Sequence, residues 1–120
     1  MKVLITGGAG YLGTVLTEEI LNRFPHAKVI IYDNLMYKQD GLFSFFKYPK
    51  DRFEFVYGDV RDKESLLEQL QKLDKDNDYV IPLAAIVGFP ACARDEQLAT
   101  AVNFEHVKYI VQSTKCRIIY

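Results

Sequence analysis

The chain has 120 residues, which is one domain's worth of sequence. Its hydrophobic share of 49% and charged share of 26% are those of an ordinary soluble globular domain. A formal net charge of -1 gives no field that would attract nucleic acid or an anionic membrane surface. No apolar run reaches the roughly 20 residues of a membrane span, and the first residues lack the features of a signal peptide. We expect a cytoplasmic protein without nucleic-acid or membrane partners.

Cysteine and histidine spacing predicts no metal site. Cys92 and Cys116 are too far apart for a CxxC motif, and His26 and His106 have no companions at ligand spacing. Both cysteines are predicted to be buried, reduced thiols. His106 is predicted to be a helix-surface or packing residue rather than a catalyst.

The first third of the chain predicts a strand, a helix and a second strand. Residues 2–6 are apolar without polar alternation, which is typical of a strand buried on both faces. Residues 11–24 have helical spacing, and Pro25 ends the helix. Residues 28–32 are the second predicted strand. The apolar positions of the helix, at fourfold spacing, are Leu12, Leu16, Ile20 and Phe24.

A longer polar and aromatic connection, residues 34–52, leads to a third predicted strand at residues 53–57. Within it, residues 41–52 interleave aromatic and basic side chains. This pattern fits nucleic-acid contact through stacking and phosphate attraction, or a short amphipathic helix against the sheet edge or a subunit interface. The near-neutral chain favours the helix, whose apolar residues are Leu42, Phe43, Phe45 and Phe46.

The second half predicts two further helices and two further strands. Asp62 is a candidate cap for the first of these helices. Residues 79–83 are the fourth strand, residues 94–114 a long helix and residues 117–120 the start of a fifth strand. The apolar positions are Leu66, Leu67, Leu70 and Leu73 in the first helix, and Leu98, Val102, Tyr109 and Ile110 in the second.

Strands that alternate with helices predict an α/β fold with right-handed crossovers and a parallel sheet covered on both faces. A Rossmann-type doubly wound sheet of order 3-2-1-4-5, truncated at the fifth strand, is the expected architecture. Such sheets bind ligands at the carboxyl ends of their strands, where the strand order reverses. That point lies directly after Thr6.

Glycines are concentrated at this point. Gly7, Gly10 and Gly13 form a G-x-x-G-x-x-G pattern between the first strand and the first helix. The first glycine allows a sharp turn, the second a close approach of the backbone to a pyrophosphate, and the third close packing of helix on sheet. The helix N-terminus offers free N–H groups and about half a positive charge to such an anion.

Two acidic residues accompany the glycines. Asp33 ends the second strand 20 residues after Gly13, where a carboxylate can accept hydrogen bonds from an adenosine ribose. Asp59 follows the third strand at the neighbouring position of the same sheet edge. The alternative interpretation is that both aspartates only form turns and that the glycines only make a tight strand–helix connection.

The chain resembles the N-terminal part of the extended short-chain dehydrogenase/reductase family, the NAD-dependent sugar-nucleotide epimerases and dehydratases. The resemblance rests on TGGAGYLG at 6–13, YDNL at 32–35, GDVRD at 58–62, LAA at 83–85 and Asn103. It implies NAD as the cofactor and a nucleotide sugar as the substrate. It also implies a homodimer for the full-length enzyme.

The resemblance implies a cofactor contact at each matching position and places Asn103 near the cofactor, where it supports the loop after the fourth strand. The implied contacts are Gly7, Gly10, Tyr11 and Leu12 at the pyrophosphate, Asp33 and Asn34 at the adenosine ribose, Asp59 and Val60 at the adenine, and Leu83, Ala84 and Ala85 beneath the nicotinamide-side ribose.

Asp33 also predicts NAD rather than NADP. A 2′-phosphate would meet a carboxylate without a neighbouring arginine, and like charges about 4 Å apart repel by roughly 1 kcal/mol even in bulk water. Lys38 is close enough in sequence to offset part of this repulsion.

The chain departs from the family pattern at two motifs. Pro82 stands where the family has histidine before LAA, and a proline suits the end of a strand better than its middle. His106 and Val107 replace the glycine and threonine that commonly follow the asparagine. Cys92, in the loop after LAA, has no basic partner that would make it a nucleophile.

No catalytic residue is predicted within these 120 residues. None of the eight tyrosines has a lysine four positions later, so the family's Tyr-x-x-x-Lys pair is missing. We therefore expect the N-terminal part of a longer enzyme, inactive alone, that forms a keto-sugar intermediate in epimerisation, dehydration or reduction. The alternative is a non-catalytic NAD-binding sensor or scaffold.

Overall fold

Five parallel strands form one sheet in the order β3-β2-β1-β4-β5, as the sequence predicts. The structure is a computed structural model that describes residues 1–120. None of its helices combines the length and the hydrophobicity of a membrane-spanning segment. The strands are β1 (Lys2–Thr6), β2 (Lys28–Asp33), β3 (Phe53–Tyr57), β4 (Tyr79–Pro82) and β5 (Arg117–Ile118).

Helices cover both faces of this sheet. A 3-10 helix, Gly41–Lys47, lies in the long connection between β2 and β3. The Asp62 side chain caps α2, as predicted, by accepting a hydrogen bond from the Ser65 N–H at 3.1 Å. The α-helices are α1 (Tyr11–Arg23), α2 (Lys63–Leu70), α3 (Phe89–Arg94), α4 (Glu96–Thr100) and α5 (His106–Ser113).

The central strands are buried on both faces, because successive side chains of a strand point to opposite sides of the sheet. Val3 and Ile5 of β1 pack on the face that α1 and the 3-10 helix cover. Leu4 of β1 packs on the opposite face with Leu66 of α2 and Ile110 of α5. The continuous apolar pattern of β1 is therefore that of a strand between two cores.

The prediction of which α1 residues face the core is wrong in part. Leu12 and Phe24, at the ends of the fourfold pattern, are 60% and 51% exposed. Gly13 has no side chain, so the helix approaches the preceding turn closely, and a Cβ on it would lie 2.4 Å from the Gly8 oxygen. This approach turns a different set of residues inward, namely Gly13, Thr17, Ile20 and Leu21.

The long helix predicted over residues 94–114 is divided. Asp95 separates α3 from α4 and caps α4 by accepting a hydrogen bond from the Leu98 N–H at 2.9 Å. A π-helical turn, Ala101–Glu105, then joins α4 to α5. Such turns are rare and frequently mark functional sites.

The connection between β2 and β3 contains the predicted amphipathic segment as a 3-10 helix. Leu42 and Phe45 are buried in the core, whereas Phe43 and Phe46 are more than half exposed. The ring of Phe46 makes an edge contact with Phe53 of β3, with 5.8 Å between the ring centroids. This arrangement is that of a helix packed on the sheet edge.

His106 is a packing residue in the core, as the sequence predicts. It is 3% exposed and joins the end of β1 to α5. Its Nδ1 lies 2.7 Å from the Val102 carbonyl oxygen and its Nε2 lies 3.0 Å from Thr6 Oγ1. Because a carbonyl only accepts, Nδ1 carries the proton and Nε2 accepts from the Thr6 hydroxyl. Burial lowers the pKa of His106 below its ordinary value.

The His106 environment predicts a loss of stability in mild acid. Since the folded-state pKa is lower than the unfolded value of about 6.5, the stabilisation is complete above that pH and is lost as the pH falls below it. We expect the free energy of unfolding, measured by urea denaturation between pH 7 and pH 5, to fall by at most about 1.4 kcal/mol per pH unit from this residue. His106→Gln flattens this dependence, and the exposed His26→Gln keeps it. An unchanged pH dependence in His106→Gln contradicts the assignment.

Candidate cofactor site

A cleft of about 420 Å³ opens at the carboxyl ends of the central strands. It lies at the switch point after Thr6, between the first turn of α1 and the segments that follow β2, β3 and β4. Among the residues that the sequence predicts as cofactor contacts, those that line the cleft are Gly7, Gly10, Tyr11, Leu12, Asp33, Asn34, Asp59, Val60, Leu83, Ala84 and Ala85. Asn103 is the exception.

The turn that leaves β1 requires glycine at its first position. Gly7 has a φ of +69°, a conformation that other residues rarely adopt. A Cβ on it would lie 2.4 Å from the Ala84 backbone nitrogen, so the turn and the segment after β4 are in close backbone contact. The Gly7 N–H donates to the Tyr32 carbonyl at 2.8 Å, which also joins the turn to β2.

Gly10 has a different environment. Its φ is -71°, and a Cβ on it would meet only the Gly7 oxygen, at 3.4 Å. The absence of a side chain is therefore not needed for the fold at this position. It leaves space in the cleft, beside the backbone of the first helical turn.

The N-terminus of α1 has no side-chain cap. Gly10 occupies the cap position, and the first turn contains no acidic residue. The first N–H groups of a helix have no partner within the helix, and together with the helix dipole they attract an anion. This end of α1 belongs to the cleft wall, because Gly10, Tyr11, Leu12 and Gly13 all line it.

Asp33 lies at the cleft and is turned inward, with 8% of its surface exposed. One carboxylate oxygen accepts from the Ala9 N–H at 3.0 Å, and the other accepts from the Leu35 N–H at 2.8 Å. The carboxylate therefore joins the glycine turn to the end of β2. Asp33 therefore does stabilise a turn, as the alternative interpretation predicts. The same two hydrogen bonds hold its side chain at the cleft.

Asp59 is fixed by a basic neighbour that the sequence prediction did not include. Arg61 donates to both Asp59 oxygens, from Nε at 2.9 Å and from Nη2 at 2.7 Å, and its backbone N–H donates at 2.9 Å. Asn34 Nδ2 donates to the same carboxylate at 3.1 Å. The hydrogen bonds from Arg61 lower the pKa of Asp59 to about 2. The spacing Asp-x-Arg in the GDVRD motif was the available signal.

Tyr32, also outside the sequence prediction, supports the same corner of the cleft. It is fully buried, and its hydroxyl donates to the Asp59 carbonyl at 2.9 Å. Its ring fills the space where Gly58 has no side chain, since a Cβ there would lie 2.3 Å from the ring. Burial raises the pKa of Tyr32, so the hydroxyl stays protonated as a donor.

Asn103 holds the loop after β4 from outside the cleft. Its Oδ1 accepts from the Ile86 N–H at 2.7 Å, and its Nδ2 donates to the Ile86 carbonyl at 2.8 Å. The Cys92 thiol donates to the same carbonyl at 3.3 Å. The side chain therefore has the supporting place that the resemblance implies, in the π-helical turn, and it positions cleft residues without lining the cleft.

The departures from the family pattern lie close to this loop. Pro82 is the last residue of β4, the position that suits a proline, and the Leu83 N–H donates to the Thr6 carbonyl at 2.9 Å.

Cys116 is buried and Cys92 is half-buried, and both are free thiols. No group of three or more histidine, cysteine, aspartate or glutamate side chains lies close enough together to hold a metal ion.

Residues 3–118 match the sequence profile described as the NAD dependent epimerase/dehydratase family. The chain belongs to this family. The resemblance seen in the glycine, YDN and GDVRD motifs is thereby confirmed at the level of the family. The parallel sheet order and the similarity to a solved dTDP-glucose 4,6-dehydratase confirm the Rossmann-type fold class.

Relatives of this chain are named as sugar-nucleotide enzymes. It is 32% identical over 116 residues to dTDP-D-glucose 4,6-dehydratase of Dictyostelium discoideum, covering 95% of this chain and 26% of that protein. It is 35% identical over 77 residues to CDP-paratose 2-epimerase of Salmonella typhi, covering 64% of this chain and 22% of that protein. The chain thus spans about a quarter of the length of these relatives.

Solved structures share the fold over nearly all of the chain. UDP-glucose 4-epimerase of Thermus thermophilus, in complex with NAD, is 27% identical with a TM-score of 0.73, covering 94% of this chain and 33% of that one. DesIV, a dTDP-glucose 4,6-dehydratase of Streptomyces venezuelae with NAD and TYD bound, is 25% identical with a TM-score of 0.83. That alignment covers 100% of this chain and 38% of DesIV.

The contrast between the two cleft glycines gives a stability prediction. Gly7→Ala combines a left-handed φ with a backbone clash, so we expect it to lower the free energy of unfolding by about 2–5 kcal/mol. Gly10→Ala meets no such clash and should change it by less than about 1 kcal/mol. Urea denaturation of both variants measures the difference. Equal losses would contradict this description of the turn.

Proposed function

We propose that the chain is the NAD-binding, N-terminal part of an oxidoreductase-type enzyme that acts on nucleotide-activated sugars. The observation that carries this proposal is the pairing of an uncapped α1 N-terminus with an inward-facing Asp33 in one cleft. The first suits a pyrophosphate and the second suits a ribose hydroxyl, and a dinucleotide contains both groups.

The cleft fits a dinucleotide in its details. The open space at Gly10 admits an anion close to the backbone of the helix N-terminus. In this proposal Gly7, Gly10, Tyr11 and Leu12 hold the pyrophosphate. The remaining predicted contacts divide into Asp33 and Asn34 at the adenosine ribose, Asp59 and Val60 at the adenine, and Leu83, Ala84 and Ala85 at the nicotinamide side.

Asp59 acts at the adenine through an oxygen that is already fixed in place. Its carboxylate stays ionised because Arg61 and Asn34 donate to it. An ionised carboxylate can only accept hydrogen bonds, which suits the exocyclic amino group of adenine. The fixed side chain loses little conformational freedom when the cofactor binds.

Bound NAD would supply the redox chemistry, which is the transfer of a hydride to and from its nicotinamide ring. The residues of this chain bind and orient that cofactor, and Asn103 positions the loop that lines its nicotinamide side. None of the eight tyrosines is followed by a lysine four positions later. We therefore propose that the chain alone turns over no sugar nucleotide.

The relatives support the substrate class, since their names include dTDP-glucose, UDP-glucose and CDP-paratose. The proposed reaction is an epimerisation, a dehydration or a reduction through a keto-sugar intermediate. A non-catalytic NAD sensor or scaffold would share the cofactor cleft and differ in showing no turnover at full length. A homodimer and a cytoplasmic location stay predictions.

Asp33 predicts the choice between the two dinucleotides. We expect isothermal titration calorimetry to show NAD binding at least about fivefold more tightly than NADP, because a 2′-phosphate would be repelled by the carboxylate. Asp33→Asn removes the charge and should narrow this ratio. Asp51→Asn, at an exposed position outside the cleft, is the matched control and should leave it unchanged. Equal binding of NAD and NADP by the unaltered chain rules out the predicted preference for NAD.

A further inference from the structure

Gln39 contains a buried polar atom without a hydrogen-bond partner. Its Oε1 is the single buried side-chain nitrogen or oxygen of the structure that lacks one. An unsatisfied buried acceptor costs free energy, and native proteins contain few of them. Such an atom calls for a specific explanation, and the position of Gln39 in the fold supplies one.

Gln39 lines the cofactor cleft. It belongs to the connection after β2, on the wall that also contains Asp33, Met36 and Tyr37. Gln39 is not among the cofactor contacts predicted from the sequence, because it lies in none of the matching motifs. A glutamine in a polar connection gives no signal until the fold brings it to the cleft.

The backbone that leads to Gln39 is held in a defined conformation. The Leu35 N–H donates to Asp33, and the Met36 N–H donates to the Asn34 side chain at 3.0 Å. The Lys38 N–H then donates to the Leu35 carbonyl at 2.9 Å. Both Leu35 and Lys38 have a φ of +54°, which non-glycine residues seldom adopt. These features place Gln39 at the cleft through a built turn.

A ribose bound at Asp33 can use a second hydrogen-bond acceptor. Both of its oxygens already accept a backbone N–H, so part of its hydrogen-bonding capacity is used by the fold. In the proposed binding of NAD, the adenosine ribose at Asp33 would bring two hydroxyl donors to this wall of the cleft. The terminal torsion of a glutamine is broad, so the Gln39 amide can turn towards a ligand without leaving its rotamer.

We propose that Gln39 is a further specificity-determining residue, whose carboxamide oxygen accepts a hydrogen bond from a hydroxyl of the adenosine ribose. This inference rests on the proposed binding of NAD by the cleft. The ligand hydroxyl supplies the donor that the protein lacks, so binding satisfies an atom that the free chain leaves unpaired.

Calorimetric titrations of four ligands test this role: NAD, ADP, 2′-deoxy-ADP and 3′-deoxy-ADP. Gln39→Met keeps the length of the side chain and removes the acceptor. We expect it to weaken NAD and ADP by about three- to tenfold. The unaltered chain should bind ADP more tightly than the deoxy compound that lacks the bonded hydroxyl. Gln39→Met should bind these two ligands equally, and the compound concerned identifies the hydroxyl. Its thermal unfolding midpoint should be no lower than that of the unaltered chain, because no bond is lost.

Gln71→Met, at an exposed glutamine outside the cleft, is the matched control and should bind all four ligands unchanged. Gln39→Ala, measured in parallel, applies the same test with a smaller side chain if the Met variant does not fold. Unchanged binding of ADP by the Gln39 variants, or an equal loss for ADP and both deoxy forms, overturns this inference alone. If the unaltered chain binds neither NAD nor ADP, the proposed function fails as well.

Discussion

The Asp33 carboxylate is the interaction on which the cleft depends. It accepts one hydrogen bond from the glycine turn, at Ala9, and one from the connection after β2, at Leu35. Two segments that are distant in sequence are thereby held on either side of the same opening. Both donors are backbone N–H groups, and the carboxylate is buried at the point where the strand order reverses. The same side chain is thus a structural link and a candidate recognition group.

Close backbone contacts define the rest of the cleft. The turn at Gly7 lies against Ala84, and Gly13 brings α1 against Gly8. Asn103 holds the loop after β4 by both polar groups of Ile86. The two glycines allow close approach because they have no side chain, and Asn103 holds a backbone segment by hydrogen bonds. A cleft built in this way is largely formed before a ligand arrives, which reduces the entropy lost on binding.

Much of this arrangement was predictable from the sequence. Apolar runs that alternate with helical patterns predict a parallel sheet, for which the doubly wound order 3-2-1-4-5 is the natural candidate. The switch point then follows from that order. The inward face of α1 was not predictable from hydrophobic spacing, because Gly13 contributes proximity rather than apolar surface. Hydrophobic spacing also gave no sign of the π-helical turn that presents Asn103. Arg61, Tyr32 and Gln39 were missed because their importance arises from contacts that only the folded chain makes.

A crystal structure of the chain with NAD bound would examine the dual role of Asp33. We expect the pyrophosphate at the N-terminus of α1, beside Gly10, and the adenosine ribose within hydrogen-bonding distance of the Asp33 carboxylate. A dinucleotide bound elsewhere on the sheet, or an Asp33 side chain directed into solvent in the complex, would contradict it.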